Sequence, residues 1–219
     1  MKPITDEEFN RFRDMCLNHE GWHLVSQDKW NIGYTMKTNS SSSLRLKLIS
    51  NLFKPYSLEL IFDMLNDPKY RKEWDVNLLE RRVIEEIDEH NEIEYYSIKM
   101  PIVTNRDFVY QRAWRFTENE FIIFNRSIKD KRFPPVSGLV RAFFHISGYM
   151  VRKENEGNKL YYICHNEWNG WIPSFLINTI GVDVCPSVLG KMAEGCKKYT
   201  EWLEKQQPYE RPWKKLLYY

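Results

Sequence analysis

Residues 168–206, WNGWIPSFLINTIGVDVCPSVLGKMAEGCKKYTEWLEKQ, fall into two halves whose reading decides the fold. In the second half Cys185, Val188, Leu189, Met192, Cys196, Tyr199 and Leu203 recur at steps of three and four, with Lys191, Glu194, Lys197, Lys198, Glu201 and Lys205 in the gaps. That spacing predicts one amphipathic helix. In the first half Trp171, Ile172, Phe175, Leu176, Ile177 and Ile180 make a bulkier apolar cluster, set apart by Gly181 and Pro186. Pro186 lacks a backbone donor and disfavours helical geometry at Cys185, so the two halves need not be collinear. Two readings are open: a bent, hinged cover for the rest of the chain, or a helix packed permanently on its own core.

With 219 residues, 42% of them hydrophobic and 15% aromatic, the chain can bury the core of one sizeable domain. A net charge of +2 from 32 basic and 30 acidic residues argues against the basic footprint of a dedicated nucleic-acid binder. Cys16, Cys164, Cys185 and Cys196 show no CxxC pairing and no regular spacing. They read as free thiols, which favours a reducing compartment. The amino terminus, MKPITDEEF, has no apolar run to act as a signal peptide, and nowhere do eighteen apolar residues come together. The expectation is a soluble, cytoplasmic monomer.

Thr5 and Glu8 form a capping box for a helix over residues 6–18 with Phe9, Phe12, Met15 and Cys16 on one face. Three strands are expected at 22–27, 32–37 and 44–49. Ser57 caps a second helix carrying Leu58, Ile61, Phe62 and Leu65. Asp67 and Pro68 start a third, with Tyr70, Trp74 and Leu78 on a common face. From residue 81 the pattern turns to period two, with strands at 81–88, 93–100, 108–116, 120–128, 139–153 and 159–167. Residues 100–107 and 130–138 read as compact loops packed by their own side chains. The fold class is α+β: a curved antiparallel sheet of about nine strands with a long carboxy-terminal helix.

Three motifs stand in this frame: DPKYRKEWD at 67–75, NRDFVY at 105–110 and WIPSFLIN at 171–178. Together, in this order and separation, they resemble the START (StAR-related lipid transfer) domain family and its helix-grip fold, with the phosphatidylcholine transfer subgroup most similar. The resemblance covers residues 1–206, leaving 207–219 as a basic, aromatic tail that either touches membrane or is disordered. It implies an apolar tunnel enclosing one phospholipid, no cofactor, no metal, and transient contact with a membrane surface. Roughly 30 methylenes at about 0.8 kcal/mol each forbid release of such a lipid into water. Exchange must then happen on a membrane, with only a gate to move.

In the subgroup an arginine meets the lipid phosphate, an aspartate four residues on supports it, and aromatic rings cage the choline. The resemblance therefore implies lipid-binding roles for Arg71 and Asp75, with Trp74, Tyr96, Phe108, Tyr110, Arg112, His145 and Ser147 completing the set. Tyr96 and Phe108 still offer ring faces to a cation. His145 does not suit a choline cage and would instead hydrogen-bond a hydroxyl or carboxylate, so a head group other than choline stays open. Arg112, if buried, needs an acidic partner, for which Asp75 is the candidate. Gate and membrane contact are expected at Ile102 and Val103 in the first loop, at Trp171, Phe175, Leu176 and Met192 on the cover, and in the tail from Trp213.

Catalytic signatures are absent: there is no nucleophile elbow, phosphate-cradling glycine loop or HExxH. The expectation is a carrier and not an enzyme, although helix-grip relatives include cyclases, and a lipid-sensing module is a further alternative. A cavity of roughly several hundred cubic ångströms, lined mainly by aliphatic and aromatic side chains, would mark the carrier.

Overall fold

The computed structural model describes residues 1–38, 41–173 and 185–217. Helix α1 (Asp6–Leu17) begins at the capping box: the Thr5 hydroxyl accepts from the Glu8 amide and the Glu8 carboxylate accepts from the Thr5 amide. A meander of β1 (His23–Gln27), β2 (Asn31–Thr38) and β3 (Ser41–Ser50) follows. Ser57 caps α2 (Leu58–Asn66) by accepting from the Leu60 amide at 3.2 Å.

The third helix is much shorter than its apolar spacing predicts. Asp67 caps it as expected, its Oδ1 accepting from the amides of Lys69 and Tyr70 at 3.0 Å and its carbonyl from the Arg71 amide, but the chain leaves helical geometry at Asp75 (ψ 83°), so α3 is only Arg71–Trp74. Leu78 already belongs to β4 (Leu78–Asp88). Then come β5 (Asn91–Ile98), β6 (Arg106–Phe116), β7 (Glu120–Ser127), β8 (Val140–Arg141), β9 (Phe143–Glu154) and β10 (Gly157–Glu167), and finally α4 (Cys185–Lys205) and a 3-10 turn, Pro212–Leu216. The single strand expected over 139–153 is two, because β8 leaves its neighbour to pair in parallel with the start of β6.

The described strands form one sheet in the order β1-β2-β3-β10-β9-β7-β6-β5-β4. Its two faces are read off β7: Phe121 and Ile123 join the core under α2 and α4, while Ile122 and Phe124 join the core under α1. On the α1 side Lys47 is fully buried and donates to the Met15 and Asn18 carbonyls at 3.0 and 2.6 Å, anchoring the helix end. On the other side Leu189, Met192, Cys196 and Tyr199 of α4 are buried against Phe62, Trp74 and Leu48. Tyr70 donates to the Gly195 carbonyl at 2.8 Å and Tyr199 to Asp67 at 3.0 Å, so α4 is packed on the sheet's inner face.

Residues 207–217 pack on the protein itself and do not form a free membrane-facing tail. Asp63 of α2 is buried and requires partners. Arg211 supplies one at 2.5 Å and the Trp213 indole another at 2.9 Å, while Tyr209 donates to Asp67 at 2.8 Å and Leu217 enters the core. Cys16, Cys164 and Cys196 are buried free thiols, and burial pushes the Cys164 thiol up to about 11. No helix among the described residues is long and apolar enough to cross a membrane.

Candidate functional site

Between the inner face of the sheet, α3 and the start of α4 lies a cavity with about 200 Å³ open to the centre of a water molecule. Leu65, Ile98, Phe108, Ile123, Phe144 and Val188 give it an apolar wall. The enclosed part is smaller than the roughly 300–1,000 Å³ that drug-sized ligands take. A two-chain lipid, as the resemblance implies, would have to spread the walls.

Arg71 stands at one side. The short α3 places Arg71 and Asp75 one turn apart, with Nε and Nη2 of the guanidinium 2.9 and 2.8 Å from Asp75 Oδ2. The guanidinium lies over the Trp74 ring at 4.2 Å and the Tyr96 ring at 5.8 Å, and Tyr96 donates to Asp75 at 3.0 Å. Burial opposes the arginine's charge, but Tyr96 and Asp75 outweigh it and hold the proton more tightly than usual. The arrangement is a fixed, desolvated cation braced by one acid, suited to an anionic oxygen.

A second charged cluster faces the same space. Arg81 of β4 grips Glu94 of β5 with Nε and Nη2, and Tyr110 of β6 donates to Glu94 at 2.5 Å. Burial opposes ionisation of Glu94, and Arg81 and Arg112 overcome it, holding the carboxyl below its usual range. Next to it Arg112 donates to Glu92 at 3.1 Å and to Asn66. Strand register then continues a polar row across the floor, Glu92 beside Arg112, Arg112 beside Asn125, Asn125 beside Ser147, Ser147 beside Cys164. Among the lining atoms, Trp74 Nε1, Arg81 Nη1, Asn125 Oδ1 and Asn166 Oδ1 are buried without a hydrogen-bond partner. Such atoms call for a polar ligand.

Glu92 gives this cluster a pH signature. Burial, then the charge of Glu94, raises its carboxyl from 4.5 to about 7. Its folded-state value lies above the unfolded one, so the folded protein binds the extra proton and loses stability as pH rises from about 4.5 to about 7. Glu92→Gln is expected to flatten that slope, raising the melting temperature by about 2–4 °C at pH 8 and leaving it nearly unchanged at pH 5. Thermal unfolding at the two pH values checks this; an equal shift at both would remove Glu92 from the account.

The START domain matches residues 5–202. The chain belongs to the START domain family. START domain-containing protein 10 of Mus musculus is 29% identical over 212 residues, 95% of this chain and 72% of that protein. The phosphatidylcholine transfer protein of Mus musculus is 25% identical over 209 residues, 90% of this chain and 95% of that one. The crystal structure of human STARD10 superposes with a TM-score of 0.90 at 27% identity, covering 99% of this chain and 89% of that one.

The residues expected from the START resemblance are only partly gathered here. Arg71, Trp74, Asp75, Tyr96, Phe108, Tyr110, Arg112 and Ser147 all line the cavity. His145 does not: its ring stacks on His165 at 4.5 Å and its Nε2 lies 2.8 Å from Glu167, on the opposite side of the sheet from Ser147. The cause is a bulge, for β10 pairs His165 with Ile146 and Asn166 with Phe144, skipping His145. An extra residue inverts the alternation, so Phe144 takes the inward place and stacks on Phe108 at 4.0 Å. Asp75 is not the partner of Arg112, since Arg71 and Tyr96 occupy it and strand register puts Glu92 directly across.

Met192 is buried in the core, so it is not a surface contact. Ile102 and Trp171 are 74% and 75% exposed and share a shallow hollow with Val103. Phe175 and Leu176 lie outside the described residues. Sequence reasoning missed Arg81, Glu92, Glu94 and Asn125. The signal for the acids was present, because Glu92 and Glu94 keep the same period as Tyr96, but the apolar Ile93 and Tyr95 of the opposite face drew the reading.

Proposed function

We propose that this START domain is a lipid-binding and lipid-transfer protein that encloses one phospholipid and exchanges it between membranes. The observation that carries the reading is Arg71, a cation braced by Asp75 and flanked by Trp74 and Tyr96, facing a cavity with a polar floor and an apolar wall. The phosphate belongs at Arg71 and the acyl chains against the wall of Leu65, Ile98, Ile123 and Val188. The relatives support this, one of them being named a phosphatidylcholine transfer protein. The protein acts as a cytoplasmic monomer that visits membranes transiently through Ile102, Val103 and Trp171; its buried free thiols support a reducing compartment.

The head-group choice extends beyond choline. Of the rings expected to cage a choline, Phe108 gives one face to Phe144 and Tyr96 is already engaged by Arg71, as is the neighbouring Trp74. The unpartnered amide oxygens of Asn125 and Asn166 instead favour hydrogen-bond donors on the ligand.

Arg71→Ala removes a charged hydrogen bond of about 1.5–3 kcal/mol, and phospholipid extraction from vesicles is expected to fall about 10- to 100-fold with unchanged circular dichroism. Extraction at the parental level would take Arg71 out of the site. Mass spectrometry of lipid carried by the purified protein identifies the head group.

A further inference from the structure

Arg106 opens β6 with a side chain that is fully buried and has no carboxylate partner among the described residues. Its neighbour Asp107 is taken by Arg141, at 3.1 and 2.9 Å. Among the described residues the Arg106 guanidinium donates only to backbone carbonyls. Nε donates to Trp168 at 3.1 Å, Nη2 to Asn169 at 2.9 Å and to Trp171 at 3.3 Å, and Nη1 to Thr104. Two successive left-handed residues, Asn169 at φ 48° and Gly170 at φ 63°, curl the chain so that three carbonyls converge on one planar group. A Cβ on Gly170 would press on Val140 at 3.3 Å.

The carbonyls come from two segments more than sixty residues apart, and each carries an exposed apolar tip, Ile102 in one and Trp171 in the other. Ile102 is held at φ 57°, a conformation that a β-branched residue rarely adopts. Val103, Thr104, Arg106 and Val140 complete the hollow between the tips. A guanidinium without a counter-ion is an expensive way to stabilise a fold. It is an effective way to fix two chains to each other, because its fork holds several acceptors in one plane.

We propose that Arg106 is a positioning residue for membrane docking: its guanidinium locks residues 100–105 to residues 168–171, so that Ile102 and Trp171 meet a lipid surface as one unit. Two anchors on a shared rigid frame insert without a separate ordering cost for each. The inference rests on the reading that these tips touch membrane.

The test compares Arg106→Met and Arg106→Lys with Ile102→Asp and Trp171→Asp, using dioleoyl phosphatidylcholine vesicles, amide hydrogen exchange and thermal unfolding. Arg106→Met is expected to speed exchange in both segments and to weaken vesicle binding about tenfold, with the lipid content of the purified protein retained. Arg106→Lys reaches fewer carbonyls and is expected to fall between; it carries the comparison if the methionine variant does not fold. Faster exchange in one segment alone, or vesicle binding unchanged in both Arg106 variants while Ile102→Asp and Trp171→Asp lose it, overturns the lock. Vesicle binding that survives Ile102→Asp and Trp171→Asp overturns the docking reading and the proposal with it.

Discussion

Glu94→Ala is expected to destabilise the protein by about 3–5 kcal/mol, the range for removing one partner of a buried ion pair. Glu94 and Arg81 have side-chain exposures of only 1% and 9%, and Arg81 Nη1 already lacks a partner. Taking away the carboxylate strands a guanidinium and also the Tyr110 hydroxyl, which donates to Glu94 at 2.5 Å. At about 2–4 °C per kcal/mol for a domain of this size, the melting temperature should drop by roughly 10 °C or more. Truncation and charge are separable. Glu94→Gln keeps the shape and an acceptor for Arg81 or Tyr110, and is expected to lose clearly less.

The decisive variant is the pair Arg81→Met with Glu94→Leu, which replaces both charges by apolar volume. Buried pairs replaced in this way are often neutral or stabilising, so the double variant should recover most of the loss seen in Glu94→Ala. Chemical unfolding of the three variants gives the free energies directly. A loss below about 1 kcal/mol in Glu94→Ala would mean that the cluster is better solvated than its burial implies. Recovery of the fold without recovery of lipid extraction in the double variant would assign the pair to the ligand; recovery of both would leave it a scaffold for the cavity floor.

How much of this site was legible in the chain depends on which physical signal had to be read. The long helix was legible because Val188, Leu189, Met192, Cys196, Tyr199 and Leu203 keep one period over about four turns, and α4 spans Cys185–Lys205. The inward set Phe108, Tyr110 and Arg112 was legible for the same reason, with period two. Register between strands was not. Nothing local in 91–98 says that Glu92 faces Arg112 and Glu94 faces Tyr110, so Asp75, correctly paired with Arg71, also stood as the candidate partner of Arg112. The bulge at His145 was also hidden, since one extra residue changes no composition and no hydrophobic count yet turns the imidazole from cavity to outer face. The apolar spacing of Tyr70, Trp74 and Leu78 suggested three turns of helix where the chain leaves helical geometry at Asp75. Strand pairing, a long-range constraint, decided the register and the bulge.

Gly148→Ala is the second large effect, and it acts from the far side of the cavity floor. Gly148 sits in β9 between Ser147 and Tyr149, whose side chains line the cavity, so its own missing side chain points toward α1. A Cβ there would stand 2.3 Å from the Ile123 carbonyl oxygen of β7 and 2.9 Å from the Phe12 ring. The ring belongs to a buried residue packed edge-on against Phe124 at 5.5 Å, and the carbonyl is main chain of the adjacent strand. Neither yields cheaply. Overpacking of this kind costs typically about 1–3 kcal/mol and occasionally more, and the backbone clash puts Gly148→Ala at the upper end. Gly148→Val should exceed it and leave little folded protein. Phe12→Leu frees only the ring contact, so the combination with Gly148→Ala should remain less stable than Phe12→Leu alone by most of the original penalty. Denaturant melts of the four proteins measure this, and an alanine variant within about 0.5 kcal/mol of the parent would show that β7 and β9 have room to separate. The sheet would then be free to widen without loosening α1, and the Asn125–Ser147 spacing on its inner face would not depend on a glycine behind it.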